Sequence, residues 1–259
     1  MMPMTQVPAA YLRQAALTPA IRAIKQRAYA LLGLLPGGSV LDIGCGPGIS
    51  TPDLARIVGP FGAVRGIDHD PDMVREADAA ARLAGVAAWT THRQGDAAEL
   101  PFAPARFDGV FSDRVLQHLP PEKAAACVKE AARVTRSGGA VVIVDSDWGS
   151  FSVDSIEPDV ERCLQSLHRA RFHNPFSGRT LGRLMTQAGL SFVGVEPVAI
   201  PLSATQAANL LGPTEREATQ NGALGKGEWD RWRDAVAAWS SAAHIVGHLT
   251  IVIAAARRD

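Results

Sequence analysis

From Ser39 to Asp147, apolar runs of strand length alternate with amphipathic segments of helix length. "SVLDIG" (39–44) is almost continuously apolar, the pattern of a strand buried on both faces. "AVRGID" (63–68), "AAWTTHRQG" (87–95), "FDGVFSD" (107–113) and "GGAVVIVDSD" (138–147) repeat it, the second of these four more weakly. Helices are predicted between them near 50–58, 71–84 and 121–136. Asp70-Pro71 and Pro120-Pro121 open the last two, because proline suits the first helical turn. Gly85 and "SGG" (137–139) close them. This alternation predicts βαβ units and an α/β fold built on a doubly wound, mostly parallel sheet.

The flanks are less regular. Residues 9–35 read as helices, with Leu31, Leu32 and Leu35 able to pack on the sheet. "SFVGVEPVAI" (191–200) and "GHLTIVIAAARR" (247–258) read as two more strands, which makes a seven-stranded sheet. Between these two strands lies an insertion, 201–243. Within it "NGALGKG" (221–227) reads as a flexible loop. Trp229, Trp232, Val236 and Trp239 then follow at helical spacing, as packing residues.

Composition narrows the function. Lys plus Arg and Asp plus Glu both total 26, so no global charge draws the chain to nucleic acid or an anionic membrane. Cys45, Cys127 and Cys163 are far apart and form no CxxC pair, which suits a reducing cytoplasm. The start, "MMPMTQVPAAYLRQ", lacks the basic-then-apolar pattern of a secretory signal. The best membrane-span candidate, 245–256, is too short and contains Gly247, His248 and Thr250. The expectation is a cytoplasmic protein with no nucleic-acid and no membrane partner, as a monomer or homodimer.

The chemistry starts at "VLDIGCGPGIST" (40–51). Gly44, Gly46 and Gly48 alternate in the turn from the first strand to its helix, where doubly wound sheets bind ligands. Glycine permits positive φ and lets a ligand touch the backbone. The dinucleotide pattern G-x-G-x-x-G needs glycine at Ile49, and the P-loop needs a Gly-Lys-Ser/Thr run that is absent. The loop therefore allows close approach without specifying a phosphate. Asp68 ends the second strand, where a carboxylate can accept from both ribose hydroxyls. Asp96 follows the third. Either could be a helix cap, but acidic residues at three consecutive strand ends point to a ligand.

Together, "VLDIGCGPGIST", "VRGIDHDPDMVREA", "RQGDAAELPF", "RFDGVFSDRVLQHLP" and "EAARVTRSGGAVVIVD" resemble the class I S-adenosylmethionine-dependent methyltransferases. Within that class the chain looks most like the ubiquinone- and menaquinone-pathway and small natural-product branch. The resemblance covers 34–147 well and the remainder in outline. It implies a Rossmann-like methyltransferase fold, one domain over 1–259. The parts are N-terminal helices (1–35), a cofactor-binding core (36–147) and acceptor-side segments (148–259) that include a lid insertion and the last strand. It implies that Gly44, Cys45 and Gly46 lie against the methionyl part of S-adenosylmethionine, with Asp42 orienting the loop and helping to hold the amino group. Asp68 would bind the ribose hydroxyls, with His69 and Met73 beside the adenine. Asp96 would accept from the adenine amino group, the Ala97 N–H would serve a ring nitrogen, and the Ser112 carbonyl would face the ammonium. The product would be S-adenosylhomocysteine.

By the same resemblance the acceptor is a small molecule, aromatic or polycyclic. His118 and His173 are the candidate catalytic bases, each of which could equally be a local structural or exposed histidine. Asp113, Asp145 and Asp147 could hold Mg²⁺ but read better as loop-capping residues, so no metal is expected. Trp148, Phe151, Phe172 and Phe176 could line the acceptor pocket or simply pack. The rival readings are a methyltransferase fold that catalyses a non-methyl reaction such as a cyclisation, and a methyltransferase acting on RNA or protein.

Overall fold

The computed structural model describes residues 9–153, 158–220, 222–223, 225–238 and 245–259. The strands form where the apolar runs predict them: β1 (Ser39–Ile43), β2 (Ala63–Asp68), β3 (Thr90–Gln94), β4 (Phe107–Asp113), β5 (Thr135–Val153), β6 (Ser191–Ser203) and β7 (Ile245–Arg257). They make one seven-stranded sheet in the order β3-β2-β1-β4-β5-β7-β6. All pairings are parallel except those of β7 with β5 and β6. The order reverses at β1, so the crevice between β1 and β4 is where a doubly wound sheet receives its ligand.

Side-chain alternation sends each strand's apolar residues to both faces. Leu41, Ile43, Val141, Ile143 and Ala254 pack under α5 (Pro121–Val134) and α7 (Ser177–Gln187). Val40, Val64, Phe111, Val142 and Ile253 pack under α2 (Pro19–Leu32) and α3 (Thr51–Val58). The short helix α1 (Ala9–Ala16) precedes α2, and α4 (Pro71–Leu83) follows β2. Leu32 is buried and Leu31 packs against the core, but Leu35 is 74% exposed because the chain has turned off the sheet after Gly33.

Beyond Asp147 the structure differs from the sequence expectation. β5 does not stop there; after a register shift it pairs Ser152 with His248 and Val153 with Gly247. This extension carries Trp148, Phe151 and Val153 into a third apolar cluster, formed with α6 (Pro158–Arg169), α8 (Ala204–Gln220) and α9 (Lys226–Ala238). Helix α9 starts at Lys226, inside the segment expected to be loop. Trp229 and Trp232 stack at 4.9 Å and are buried, as packing residues should be. Trp239 lies outside the described residues.

Candidate active site

Asp42, Asp68 and Ser112 lie at the carboxyl ends of β1, β2 and β4, and Asp96 and Ala97 follow β3; Met73 is on α4, and His118 and His173 lie in turns beyond the strands. In the turn after β1, the Gly44 and Cys45 N–H groups both donate to the Ile67 carbonyl, at 2.8 and 3.0 Å. This ties the turn to β2. Asp68 then clamps it: one oxygen accepts from Gly46 N–H at 2.8 Å and the other from Asp70 N–H at 3.0 Å. A carboxylate has about four acceptor sites, so Asp68 keeps acceptor capacity for a ligand, chiefly on Oδ2, since His69 Nδ1 stands 3.3 Å from Oδ1.

The three loop glycines have different tasks. All have positive φ (67°, 52° and 75° at Gly44, Gly46 and Gly48). A Cβ on Gly44 would lie 2.2 Å from Val115 Cγ2, and one on Gly48 would lie 2.8 Å from Ala77 Cα. Both are packing glycines. At Gly46 a Cβ would meet nothing within 4 Å. The space a side chain would take is therefore filled at Gly44 and Gly48 and open at Gly46.

Charge at this crevice comes from four elements. Asp42 is buried on β1, and its Oδ2 has no hydrogen-bond partner. Burial pushes its carboxyl up to about 7. Lys25 opposes that rise, and Asp113 and Asp68 add to it. Lys25, on α2, is only 6% exposed. Its ammonium stands 2.8 Å from Asp113 Oδ2 and 2.7 Å from the Ser50 hydroxyl. Burial works against the charge on Asp113, but Arg114 and Lys25 outweigh it and hold that carboxyl well below its usual range. Arg114 itself sits at φ 57°, a strained conformation for a non-glycine residue, at the end of β4.

Lys25 is the residue that sequence reasoning missed. Its signal is faint: it occupies one position of the buried stripe Lys25, Ala28, Tyr29 and Leu32, where an apolar residue is expected. Only the packing of α2 across β4 and α3 explains a buried ammonium there. Ser112 is also buried, beside Ile43 in the β1–β4 register, with its hydroxyl unpartnered. The Cys45 thiol is buried and burial raises its pKa, so it is a wall and not a nucleophile.

The far end of the crevice is open. His69 is exposed and lies 3.3 Å from Asp68; Met73 is half-buried on α4. Asp96 is exposed. The Ala98 N–H, and then the Lys123 ammonium at 2.9 Å, hold its carboxyl below the usual range. Ala97 packs against the core.

His118 lies in a short 3₁₀ turn (Leu116–His118) just after β4, its ring 5.7 Å from that of Phe172. Burial, followed by the nearby charges of Arg114, His69 and His173, pushes its pKa down to about 4. His173 is exposed, next to Asn174, whose N–H donates to the Gln117 carbonyl. Trp148 stacks on Phe172 at 4.6 Å, and both contact the buried His168. Phe176 is exposed under the Arg179 guanidinium, apart from this cluster. The three aspartates weighed as metal ligands have other partners. Asp113 pairs with Lys25 and Arg114, Asp145 accepts from Ser146 and Gln117 N–H, and Asp147 pairs with Arg179.

Residues 40–139 match the family model described as a methyltransferase domain. An uncharacterized 37.1 kDa protein in transposon TN4556 of Streptomyces fradiae is 36% identical over 233 residues, 88% of this chain and 66% of that protein. The demethylmenaquinone methyltransferase of Desulfitobacterium hafniense is 37% identical over 111 residues, 42% of this chain and 43% of that protein. The chain spans between about two fifths and two thirds of the length of the curated relatives it matches. Among solved structures, geranyl diphosphate C-methyltransferase from Streptomyces coelicolor A3(2) superposes with a TM-score of 0.60 at 16% identity. The match covers 98% of this chain and 86% of that one. That crystal structure contains Mg²⁺, geranyl diphosphate and S-adenosyl-L-homocysteine. At such identity the likeness is one of fold.

Proposed function

We propose that this chain, which belongs to the class I S-adenosylmethionine-dependent methyltransferases, moves a methyl group from S-adenosylmethionine to a small aromatic or polycyclic acceptor. The observation that carries the reading is the pairing of an open Gly46 backbone with the spare acceptor positions of Asp68. Together they suit a ligand with a ribose diol and no phosphate. The methionyl end is a zwitterion, and the crevice offers a matching pair: Asp42 for the ammonium and Lys25 for the carboxylate. Asp96 and the Ala97 N–H would take the adenine edge, with His69 and Met73 beside it. The demethylmenaquinone relative supports the aromatic acceptor.

The sulfonium supplies an electrophilic methyl group. An ionised acceptor oxygen, its proton released to solvent, would form the new bond as the carbon–sulfur bond breaks, the electron pair staying on sulfur. The protein's main task is in-line positioning and exclusion of water, which together can lower the barrier by about 7–11 kcal/mol. No helix among the described residues is long and apolar enough to cross a membrane.

The test is transfer of label from methyl-labelled S-adenosylmethionine to a panel of phenols and hydroquinones. Labelled product is the expected result. Conversion of a substrate without label would instead mean a non-methyl reaction, and label only in bulk RNA or protein would overturn the acceptor class.

Asp42 makes cofactor binding depend on pH. Its carboxyl is ionised above about 7 and can hold the ammonium; below that it is protonated, and binding must expel the proton. The groups facing it are Lys25 from α2, Asp113 from β4 and Asp68 from β2. Affinity for S-adenosylhomocysteine is expected to fall about tenfold per pH unit below the midpoint, measured by calorimetry between pH 8 and 6. Asp42→Asn should bind weakly and flatten the profile, whereas Lys25→Met should move the midpoint to higher pH. A flat wild-type profile would remove Asp42 from the ammonium site.

A further inference from the structure

Trp148, Gln117 and His118 form a chain of two hydrogen bonds that settles where the His118 proton sits. An indole N–H can only donate. Trp148 Nε1 is 2.9 Å from Gln117 Oε1, so that oxygen is the acceptor and the amide orientation is determined. Gln117 Nε2, which is then a donor, lies 3.0 Å from His118 Nε2. His118 Nε2 must accept, which leaves the proton of the neutral imidazole on Nδ1. Nδ1 is buried and has no partner in the protein. The backbone holds the relay rigidly: Gln117 N–H donates to Asp145 Oδ2 at 3.2 Å, and the Gln117 carbonyl accepts from Asn174 N–H at 3.0 Å.

A buried N–H without an acceptor is costly, about 1–3 kcal/mol. Such a group calls for an explanation, and a role toward a bound ligand is one. His118 is well placed for one. Its 3₁₀ turn begins one residue after Val115, which packs on Gly44, and its ring borders Phe172 and, through it, Trp148.

We infer that His118 meets the acceptor as a hydrogen-bond donor through Nδ1–H and not as a base, with Gln117 and Trp148 as the positioning residues that set its tautomer. The acceptor is then a molecule with an oxygen that takes a hydrogen bond: a carbonyl, an enolate or a phenolate. A neutral amine that carries no such oxygen leaves the donor unpaired. The inference refines the methyl-transfer reading by assigning its acceptor site, yet the tautomer can be tested without cofactor or acceptor.

Two-bond proton–nitrogen NMR of ¹⁵N-histidine-labelled protein at pH 7 reads the tautomer directly, with the His118 signals assigned by their loss in His118→Phe. The expected result is a neutral ring protonated on Nδ1. In Gln117→Glu the carboxylate keeps the Trp148 bond but demands a proton on His118 Nε2, so the signals should change to the Nε2–H or imidazolium pattern. Wild-type His118 in either of those forms would overturn the relay, as would an unchanged pattern in Gln117→Glu. For the donor role, 4-nitrophenolate is titrated into protein saturated with S-adenosylhomocysteine. A downfield shift of the Nδ1 proton is expected, and no shift at saturating phenolate overturns it. Absence of S-adenosylhomocysteine binding would instead count against the cofactor reading and leave the tautomer result standing.

Discussion

Asp68→Ala is expected to reduce affinity for S-adenosylhomocysteine at least 100-fold, measured by calorimetry, while the protein stays folded. Two effects combine. The carboxylate's spare acceptor positions are lost to the ribose hydroxyls, and hydrogen bonds to a charged group are worth roughly 1.5–3 kcal/mol each. The loop also loses its clamp, since Gly46 N–H and Asp70 N–H both depend on the same carboxylate. Asp68→Asn separates the effects. Its amide oxygen can hold one of the two N–H groups, but its NH₂ cannot accept from a hydroxyl. An intermediate loss of affinity is therefore expected. Wild-type affinity in Asp68→Ala would show that the ligand does not lie along the end of β2.

The second large effect distinguishes two glycines that look alike in sequence. Gly44→Ala is expected to lower stability by about 3 kcal/mol in denaturant unfolding. A side chain at φ 67° costs roughly 1–2 kcal/mol, and overpacking adds about 1–3. The new Cβ would lie 2.2 Å from Val115 Cγ2, and a β-branched side chain has little rotamer freedom with which to yield. Gly46→Ala keeps only the conformational cost, about 1 kcal/mol, because nothing in the protein occupies the space. Its deficit should appear in binding: S-adenosylhomocysteine affinity is expected to fall about tenfold or more as the methyl group fills the ligand's approach. Equal stability losses in the two variants, with binding intact in Gly46→Ala, would refute the assignment.

Strand and helix positions through Val134 follow the sequence expectation within a few residues, because alternating burial on a sheet imposes a period that local residues report. The extension of β5 to Val153 was not legible. Gly149 and the polar Ser150 and Ser152 interrupt its apolar run, and what keeps it extended is pairing with β7, whose Gly247 and His248 lie almost a hundred residues away. Leu35 misled for the opposite reason. It continues the apolar pattern of α2, but the helix ends at Gly33 with φ 63° and the side chain faces solvent.

The candidate site divides in the same way. The glycine loop and the aspartates ending β1 and β2 are readable because positive φ and a strand terminus leave marks in the residues themselves. Lys25 left almost none: its ammonium is explained only by Asp113 and Ser50, which belong to other elements. His118 could be found by position but not by role, since the atom that carries its proton depends on Trp148 acting through Gln117.

By itself, then, the sequence determined the order of elements, the glycine turn after β1 as the ligand-binding turn and the absence of a phosphate-loop motif there. All three rest on local periodicity and on which residues tolerate a tight turn. Tertiary structure alone decided which glycine is open, which carboxylate pairs with the buried Lys25 and which imidazole nitrogen holds the proton. Each of those depends on which atoms of separate elements come within a few ångströms of one another, and hydrogen bonding and packing at that range leave no trace in the spacing of residues along the chain.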